Sequence, residues 1–250
     1  MHAITVDEIF DASDLRAEIN DGYVTERRHP KYGELAIYNY TPTAAYEHRW
    51  NEVTLNTRGL IVNTDTREVV ARPFKKFFNS DQPEAPQTSL ERPVMGVFDK
   101  ADGSLLIEYV APDGTLWGAT RGSFESAQAK RGTEFLRMHE GLEAYANQPT
   151  GITRLYEVVY PDNRIVLDYK GFEGLYYLGS IVNEDGQYVP PSSPGWADLQ
   201  RPGKYVRVVA EYTGASTYRE ALSPEPRENA EGVVIWLDPW TAVKVKQEEY

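Results

Sequence analysis

The 250-residue chain has no cysteine, which excludes disulfides, thiolate zinc sites and cysteine nucleophiles, and fits a reducing compartment. No apolar run approaches the length that spans a bilayer. The start, Met1-His2-Ala3-Ile4-Thr5-Val6-Asp7-Glu8, lacks the basic and apolar regions of a signal peptide. The expected location is the cytoplasm, with no membrane partner. Positive charge is scarce: 26 Lys and Arg stand against 38 Asp and Glu, for a net charge of −12. That is not the composition of a protein that grips nucleic acid over a broad basic surface. The signs are unevenly spread, however. Residues 1–26 carry Asp7, Glu8, Asp11, Asp14, Glu18, Asp21 and Glu26 with Arg16 alone against them, whereas residues 58–80 carry Arg58, Arg67, Arg72, Lys75 and Lys76 against Asp65 and Glu68. A local basic groove on an acidic body suits a phosphate-handling site.

There is also no internal repeat and no low-complexity segment. The length allows one large domain or two small ones. An amphipathic first helix is expected over residues 5–20, from Ile9, Phe10, Leu15 and Ile19 among acids. β-rich sequence follows from Tyr23 to Arg72, with strands at 35–40, 59–62 and 69–71, a turn at 63–68 and a short helix over 43–53. Residues 80–93 read as a surface connection. Strand-like runs flank Lys100-Ala101-Asp102-Gly103-Ser104, and a second hairpin turn at 111–114 leads into 115–120. Ser123 is expected to cap a helix reaching about residue 147, interrupted at Gly132. Strands are expected at 152–159, 163–168 and 174–182, a loop at 189–203, a short helix at 216–222 and closing strands at 232–237 and 242–246. Hairpin turns dominate and no βαβ alternation is visible, so the predicted class is α+β with antiparallel sheets.

The chemistry concentrates in a few places. Asp-Gly after Lys100 is a generic hairpin signal, and taken alone the motif equally describes a solvated turn lysine. A lysine attacks phosphorus only as the neutral amine, and an unperturbed one, with a pKa of ~10.4, is less than about one part in a thousand neutral at pH 7. Desolvation or neighbouring positive charge must lower that value. Lys244 and Lys246 alternate along a strand and share one face, with Val243 and Val245 on the other; an amphipathic edge strand would show the same pattern. Glu157 interrupts an apolar strand and Glu231 opens another. Carboxylates so placed can accept ribose hydroxyls or hold a divalent metal, or simply face outward.

Together and in this order, these features resemble the covalent nucleotidyltransferases, and specifically the phage RNA ligase family whose type member repairs cleaved tRNA. Lys100-Ala101-Asp102-Gly103-Ser104 resembles the nucleophile motif. Arg58-Gly59-Leu60-Ile61 and Arg72-Pro73-Phe74-Lys75-Lys76-Phe77-Phe78-Asn79 resemble that family's own signatures. Tyr156-Glu157-Val158 with Pro161-Asp162-Asn163-Arg164-Ile165-Val166-Leu167 resembles its third motif, and Glu231-Gly232-Val233-Val234 and Lys244-Val245-Lys246 its last two.

The resemblance implies a nucleotidyltransferase fold over the whole chain, with residues 1–85 as a family-specific part and 86–250 as the core holding the nucleophile, antiparallel sheets flanking an ATP cleft. It implies an ATP-dependent RNA ligase that joins 5′-phosphate and 3′-hydroxyl ends through lysyl-AMP and RNA-adenylate. Lys100 would be the nucleophile, with Lys244 and Lys246 on the α-phosphate and Arg58 and Lys76 on the outer phosphates and the RNA end. Asp102 and Gly103 belong to the nucleophile motif and Arg121 stands where the family has lysine. Glu157 and Glu231 would hold ribose and metal, Mg2+ or Mn2+. Tyr177 would lie against adenine with Val234 opposite. The partner is RNA with a 5′-phosphate and a 3′-hydroxyl, single-stranded or a broken tRNA-like loop, in the host cytoplasm if a phage encodes the chain. Two departures are visible: Ala101 replaces an acidic residue, and no helical C-terminal domain follows Tyr250. Two other functions fit the same residues, an RNA 5′-end adenylyltransferase that relies on a partner for sealing and a catalytically silent RNA-end-binding module.

Overall fold

A computed structural model describes residues 3–139, 151–163, 167–193 and 204–247. The N-terminal part builds a four-stranded antiparallel sheet from β1 (Val24–Arg28), β2 (Leu35–Tyr40), β3 (Arg58–Asn63) and β4 (Val69–Ala71), in that order. Its two central strands, β2 and β3, are buried on both faces, whereas β1 is exposed after Val24. Ala36, Tyr38, Leu60 and Val62 pack outward under Leu15 of helix α1 (Ala12–Asn20), while Leu35, Ile37 and Ile61 face the central core. The single helix expected over 5–20 is two pieces. Thr5 and Glu8 close a capping box on a 3-10 turn at Val6–Glu8, and Asp11 starts α1 afresh by accepting from the Ser13 amide at 2.7 Å. Likewise 43–53 splits into α2 (Pro42–Tyr46) and α3 (Glu52–Asn56), parted at His48, whose φ is +52°. Asn51 recaps the second by accepting from the Thr54 amide.

Two further sheets form the rest. One is ordered β11 (Tyr188–Val189), β10 (Gly174–Val182), β9 (Ile152–Val159), β7 (Ser104–Val110), β8 (Leu116–Thr120), with β12 (Val206–Val208) also on β10. The other is ordered β5 (Phe78–Asn79), β14 (Thr241–Lys246), β13 (Gly232–Asp238), β6 (Gly96–Asp99). Pairing is antiparallel except for β10 with β12 and β14 with β5, which are parallel. These pairs qualify the all-antiparallel expectation: short strands arriving after long excursions carry no hairpin signal.

Three local expectations are corrected. Strands β6 and β7 do not form a hairpin around Lys100; they belong to different sheets, and the lysine segment crosses between them. Helix α4 (Ala127–Met138) runs straight through Gly132. A Cβ there would lie 2.4 Å from Leu106 Cδ1, so the glycine lets the helix press onto the sheet rather than breaking it. The cap of α4 is Ser126, accepting from Ala129 N, while Ser123 holds the preceding turn by accepting from Glu125 N and Ser126 N. Of the strand expected at 163–168, residues 164–166 lie outside the described residues, as do 140–147 of the expected helix and 194–203 of the loop. Pro161–Asn163 is a 3-10 turn. Helix α5 (Tyr218–Leu222) packs by β13. Among the described residues no helix is long and apolar enough to cross a membrane.

Candidate active site

Where the lysine segment passes from one sheet to the other, the two sheets and the inner face of the N-terminal sheet enclose a cavity of about 680 Å³. The segment is fastened on both sides. Lys100 N donates to Gly232 O at 3.0 Å. The Tyr169 hydroxyl accepts from Asp102 N at 2.6 Å and lies 2.9 Å from Asp102 O, and the Asp102 carboxylate accepts from Leu167 N at 3.1 Å. Asp102 is buried and is absent from the cavity lining; it ties residues 167–169 to the lysine segment. Gly103 does line the cavity. A Cβ on it would lie 2.5 Å from Val158 O, so only glycine lets the segment close onto β9.

Lys100 Nζ sits 2.5 Å from Glu231 Oε2, and Lys246 Nζ sits 3.2 Å from Glu231 Oε1. Glu231, 3% exposed, is thus clasped between two ammonium groups behind the cavity wall. Lys100 lines the cavity itself. Glu157, on β9, faces Lys100 from the opposite sheet and also lines the cavity. Burial pushes its carboxyl up to about 7; Lys100 and Arg58 oppose that rise and Glu231 adds to it. The expectation that positive neighbours surround the nucleophile is therefore half of the arrangement, since a carboxylate is its direct partner.

The four cations come from four separate segments. Lys244, on β14, reaches the cavity while Val243 and Val245 stay buried. Burial, then the charges of Lys76, Arg58, Lys100 and Lys246, lower Lys244 to about 7. Lys76 stands just outside the lining, its Nζ 4.3 Å from the Phe78 ring centre and 5.3 Å from that of Trp50. Burial and Arg58 lower it to about 8. Arg58, on β3, has its guanidinium 5.5 Å from the Phe77 ring, and its Nη1 is buried without a hydrogen-bond partner. Burial depresses its pKa too. Arg121 lines the cavity and donates to the Tyr40 hydroxyl at 3.0 Å. Crowded, partly desolvated cations with an orphaned N–H are costly in the empty state and are discharged by a polyanion.

The remaining wall is apolar. Phe98, Leu178, Tyr188, Val234 and Trp236 line it, with the Tyr188 and Trp236 rings stacked 3.8 Å apart at 8°. Tyr177 is not part of it. Its ring is fully buried against Tyr156 in the core behind the sheet, and its hydroxyl pairs with Ser180 at 2.7 Å. The side chain facing the cavity is its neighbour Leu178. The register shift between Tyr177 and Gly179 sits at this point, where a strict alternation count is least dependable. Sequence reasoning missed Leu178, Tyr188 and Arg27, which also lines the cavity. Trp236 was within reach, two residues beyond Val234 on the same strand face.

Among the described residues no group of three or more His, Asp or Glu side chains could hold a metal ion. Glu157 and Asp99 are on the cavity, Asp99 paired with Arg227 at 2.6 Å, and Glu231 is engaged by two lysines. Such a sparse donor set does not build a protein cage, but it fits Mg2+, which takes one or two carboxylates and completes its shell with phosphate oxygens and water.

The model of an RNA ligase family matches residues 56–250. A Thermovibrio ammonificans protein named "Putative RNA ligase" is 30% identical over 135 residues, covering 53% of this chain and 35% of that one. An Autographa californica nuclear polyhedrosis virus protein named "Putative bifunctional polynucleotide kinase/RNA ligase" is 29% identical over 177 residues, covering 62% of this chain and 25% of that one. The chain thus spans about a third and a quarter of the lengths of these relatives. An archaeal ATP-dependent RNA ligase structure superposes with a TM-score of 0.64 at 17% identity, covering 94% of this chain and 61% of that one. A Naegleria gruberi RNA ligase with PPi gives 0.50 at 17% identity, covering 72% and 60%. These likenesses place the fold among the nucleotidyltransferases.

Proposed function

The chain belongs to the RNA ligase family whose model spans residues 56–250, and from that premise we propose that it seals RNA 5′-phosphate and 3′-hydroxyl ends with ATP, through lysyl-AMP and RNA-adenylate. One observation carries the reading: Lys100, with Glu231 behind it, meets Glu157 and the cations Arg58, Arg121 and Lys244 at a single cavity whose other wall is aromatic. That pairing of an apolar slot with a polyanion cradle suits a nucleoside triphosphate.

Adenine would enter between Val234, Trp236 and Leu178, leaving the phosphates toward Arg58, Arg121, Lys76 and Lys244. Nζ of Lys100 attacks the α-phosphorus; an N–P bond forms, the bond to pyrophosphate breaks, and Glu231 Oε2 is placed to take the amine's proton. A 5′-phosphate oxygen of RNA then attacks the same phosphorus, breaking the N–P bond and returning a proton to Lys100. Finally the 3′-hydroxyl attacks the RNA 5′-phosphorus, closing the phosphodiester and releasing AMP. Lys244, with Lys246 behind Glu231, offsets charge that develops on the phosphoryl oxygens. Mg2+ held by Glu157 would neutralise phosphate oxygens. The lysines and arginines orient the phosphates, and the aromatic wall keeps water from the base.

Incubation with α-labelled ATP and Mg2+ tests this directly. Covalent label on the wild-type chain that is absent from Lys100→Ala is the expected result, followed by joining of a 5′-phosphorylated single strand to a 3′-hydroxyl end. Label with accumulation of RNA-adenylate and no joined product would favour the adenylyltransferase that needs a partner. No label at all would leave an RNA-end-binding module.

A further inference from the structure

The cavity includes one cation that the adenylation chemistry leaves without a task. Arg27, on β1, lies outside the residues matched by the family yet lines the cavity. Arg27 is exposed, and it stands at the rim of the cavity. Arg27 is directly opposite Ile37 in the β1–β2 register, and directly opposite residues share a sheet face. Ile37 belongs to the central core beneath that face, so Arg27 points inward at the edge where the sheet meets the cavity. On the outward face of the same strand Glu26 and Arg28 neutralise each other at 2.8 Å. Arg27 has no such partner: among the described residues its side chain makes no hydrogen bond or ion pair.

Its distance from the phosphate cluster is set by the sheet. Arg58 pairs with Asn39 and Asn39 with Thr25, so Arg27 is two strands over and two residues along, about 12 Å from Arg58 by strand spacing. During AMP transfer the attacking oxygen enters in line with the departing Lys100 nitrogen. The RNA 5′-phosphate therefore takes the side that pyrophosphate leaves, by Arg58 and Arg121, and the strand continues outward. Neutral Ser123 and Gln128 also line the cavity, with groups that suit ribose hydroxyls and base edges.

We propose that Arg27 binds the first internucleotide phosphate of the donor RNA strand, making the N-terminal sheet a substrate-strand subsite that ATP does not use. The proposal rests on the ligase reading, and its test separates the two. Arg27→Ala and Arg27→Glu are compared with wild type in three assays. Lysyl-AMP formation should stay within about twofold of wild type. AMP transfer to a 5′-phosphorylated oligoribonucleotide should fall about tenfold, mainly in KM, with the salt dependence of RNA binding reduced by about 0.7 in log–log slope. Transfer to a nucleoside 5′-monophosphate, which has no internucleotide phosphate, should not change, and Arg27→Lys should recover most of the loss. Equal loss with the mononucleotide, a matching loss of lysyl-AMP, or no loss with the oligonucleotide would each overturn the assignment. If the wild-type chain forms no lysyl-AMP, the ligase reading fails on its own; fluorescence anisotropy with the 5′-phosphorylated oligonucleotide then still decides Arg27, an unchanged Kd in Arg27→Ala overturning it.

Discussion

The two walls of the cavity are built on opposite principles. The aromatic wall is satisfied as it stands: Trp236 stacks on Tyr188, Phe74 packs against both, and Phe98 completes the cluster. The cationic wall is not. Arg58 Nη1 has no partner, Lys244 and Lys76 are pressed below their ordinary pKa values, and the carboxyl of Glu157 is pressed above its own. The first wall contributes to folding whether or not ligand is present, whereas the second costs stability until an anion arrives. The cationic wall is held in a state that folding alone would not favour.

This contrast can be broken by substitution. The largest effect should come from the aromatic side. Trp236→Ala removes a buried, stacked ring and should cost about 3–5 kcal/mol, seen as a thermal midpoint lower by about 10 °C. A midpoint shift below about 3 °C would show that the wall is not a packed unit. Arg58→Met should do the opposite. Removing an underpaired charge should leave the ligand-free midpoint unchanged or raised, while lysyl-AMP formation drops about 100-fold. The rise in midpoint that ATP gives the wild type should be lost with it. A destabilised Arg58→Met would overturn the assignment of this residue to binding.

Smaller effects depend on pH, with opposite signs at two residues. Glu157 has a raised pKa, so its burial is costless while it is protonated in both folded and unfolded chains and costs stability as pH climbs from about 4.5 towards 7. Glu157→Gln should therefore stabilise the ligand-free protein by about 1–3 kcal/mol at pH 8 and by nothing at pH 4. Lys244 has a lowered pKa, so its cost is full below about 7 and fades as pH rises towards 10.5. Lys244→Met should stabilise at pH 6 and lose that advantage at pH 10. Denaturant titrations at these pH values check both, and equal gains at every pH would remove the electrostatic account. Least of all should come from Arg219→Ala, which breaks an ion pair with Glu91 exposed on both partners. A change within about 0.5 kcal/mol is expected, and a larger one would mean that surface pairs here carry weight the cavity was thought to hold.

Local chemistry made much of this legible in the sequence. Alternation placed Val243 and Val245 in the core with Lys244 on the cavity, and the apolar runs at 35–40, 152–159, 174–182 and 232–237 correspond to strands. What the sequence hid was non-local. Asp102-Gly103 has the signature of a hairpin turn, yet the strand before it pairs with β13, 134–140 residues on, and the strand after it pairs with β9, 48–54 residues on; no turn signal encodes that. Tyr177 and Leu178 exchanged places because a register irregularity is invisible to a count of two. Arg27 and Tyr188 carry no motif at all, and only the closing of three sheets around one space gives them a place.

The sheet order β5-β14-β13-β6 also bears on how the protein comes to be made. The strand leading into Lys100 pairs with β13, from residues 232–238, and bridges Glu211, while Phe78–Asn79 pairs with β14, from residues 241–246. Until residues 231–246 have left the ribosome, Lys100 has neither Glu231 nor Lys244 beside it. A nascent chain short of β13 and β14 therefore lacks the surroundings of Lys100 that the folded cavity supplies.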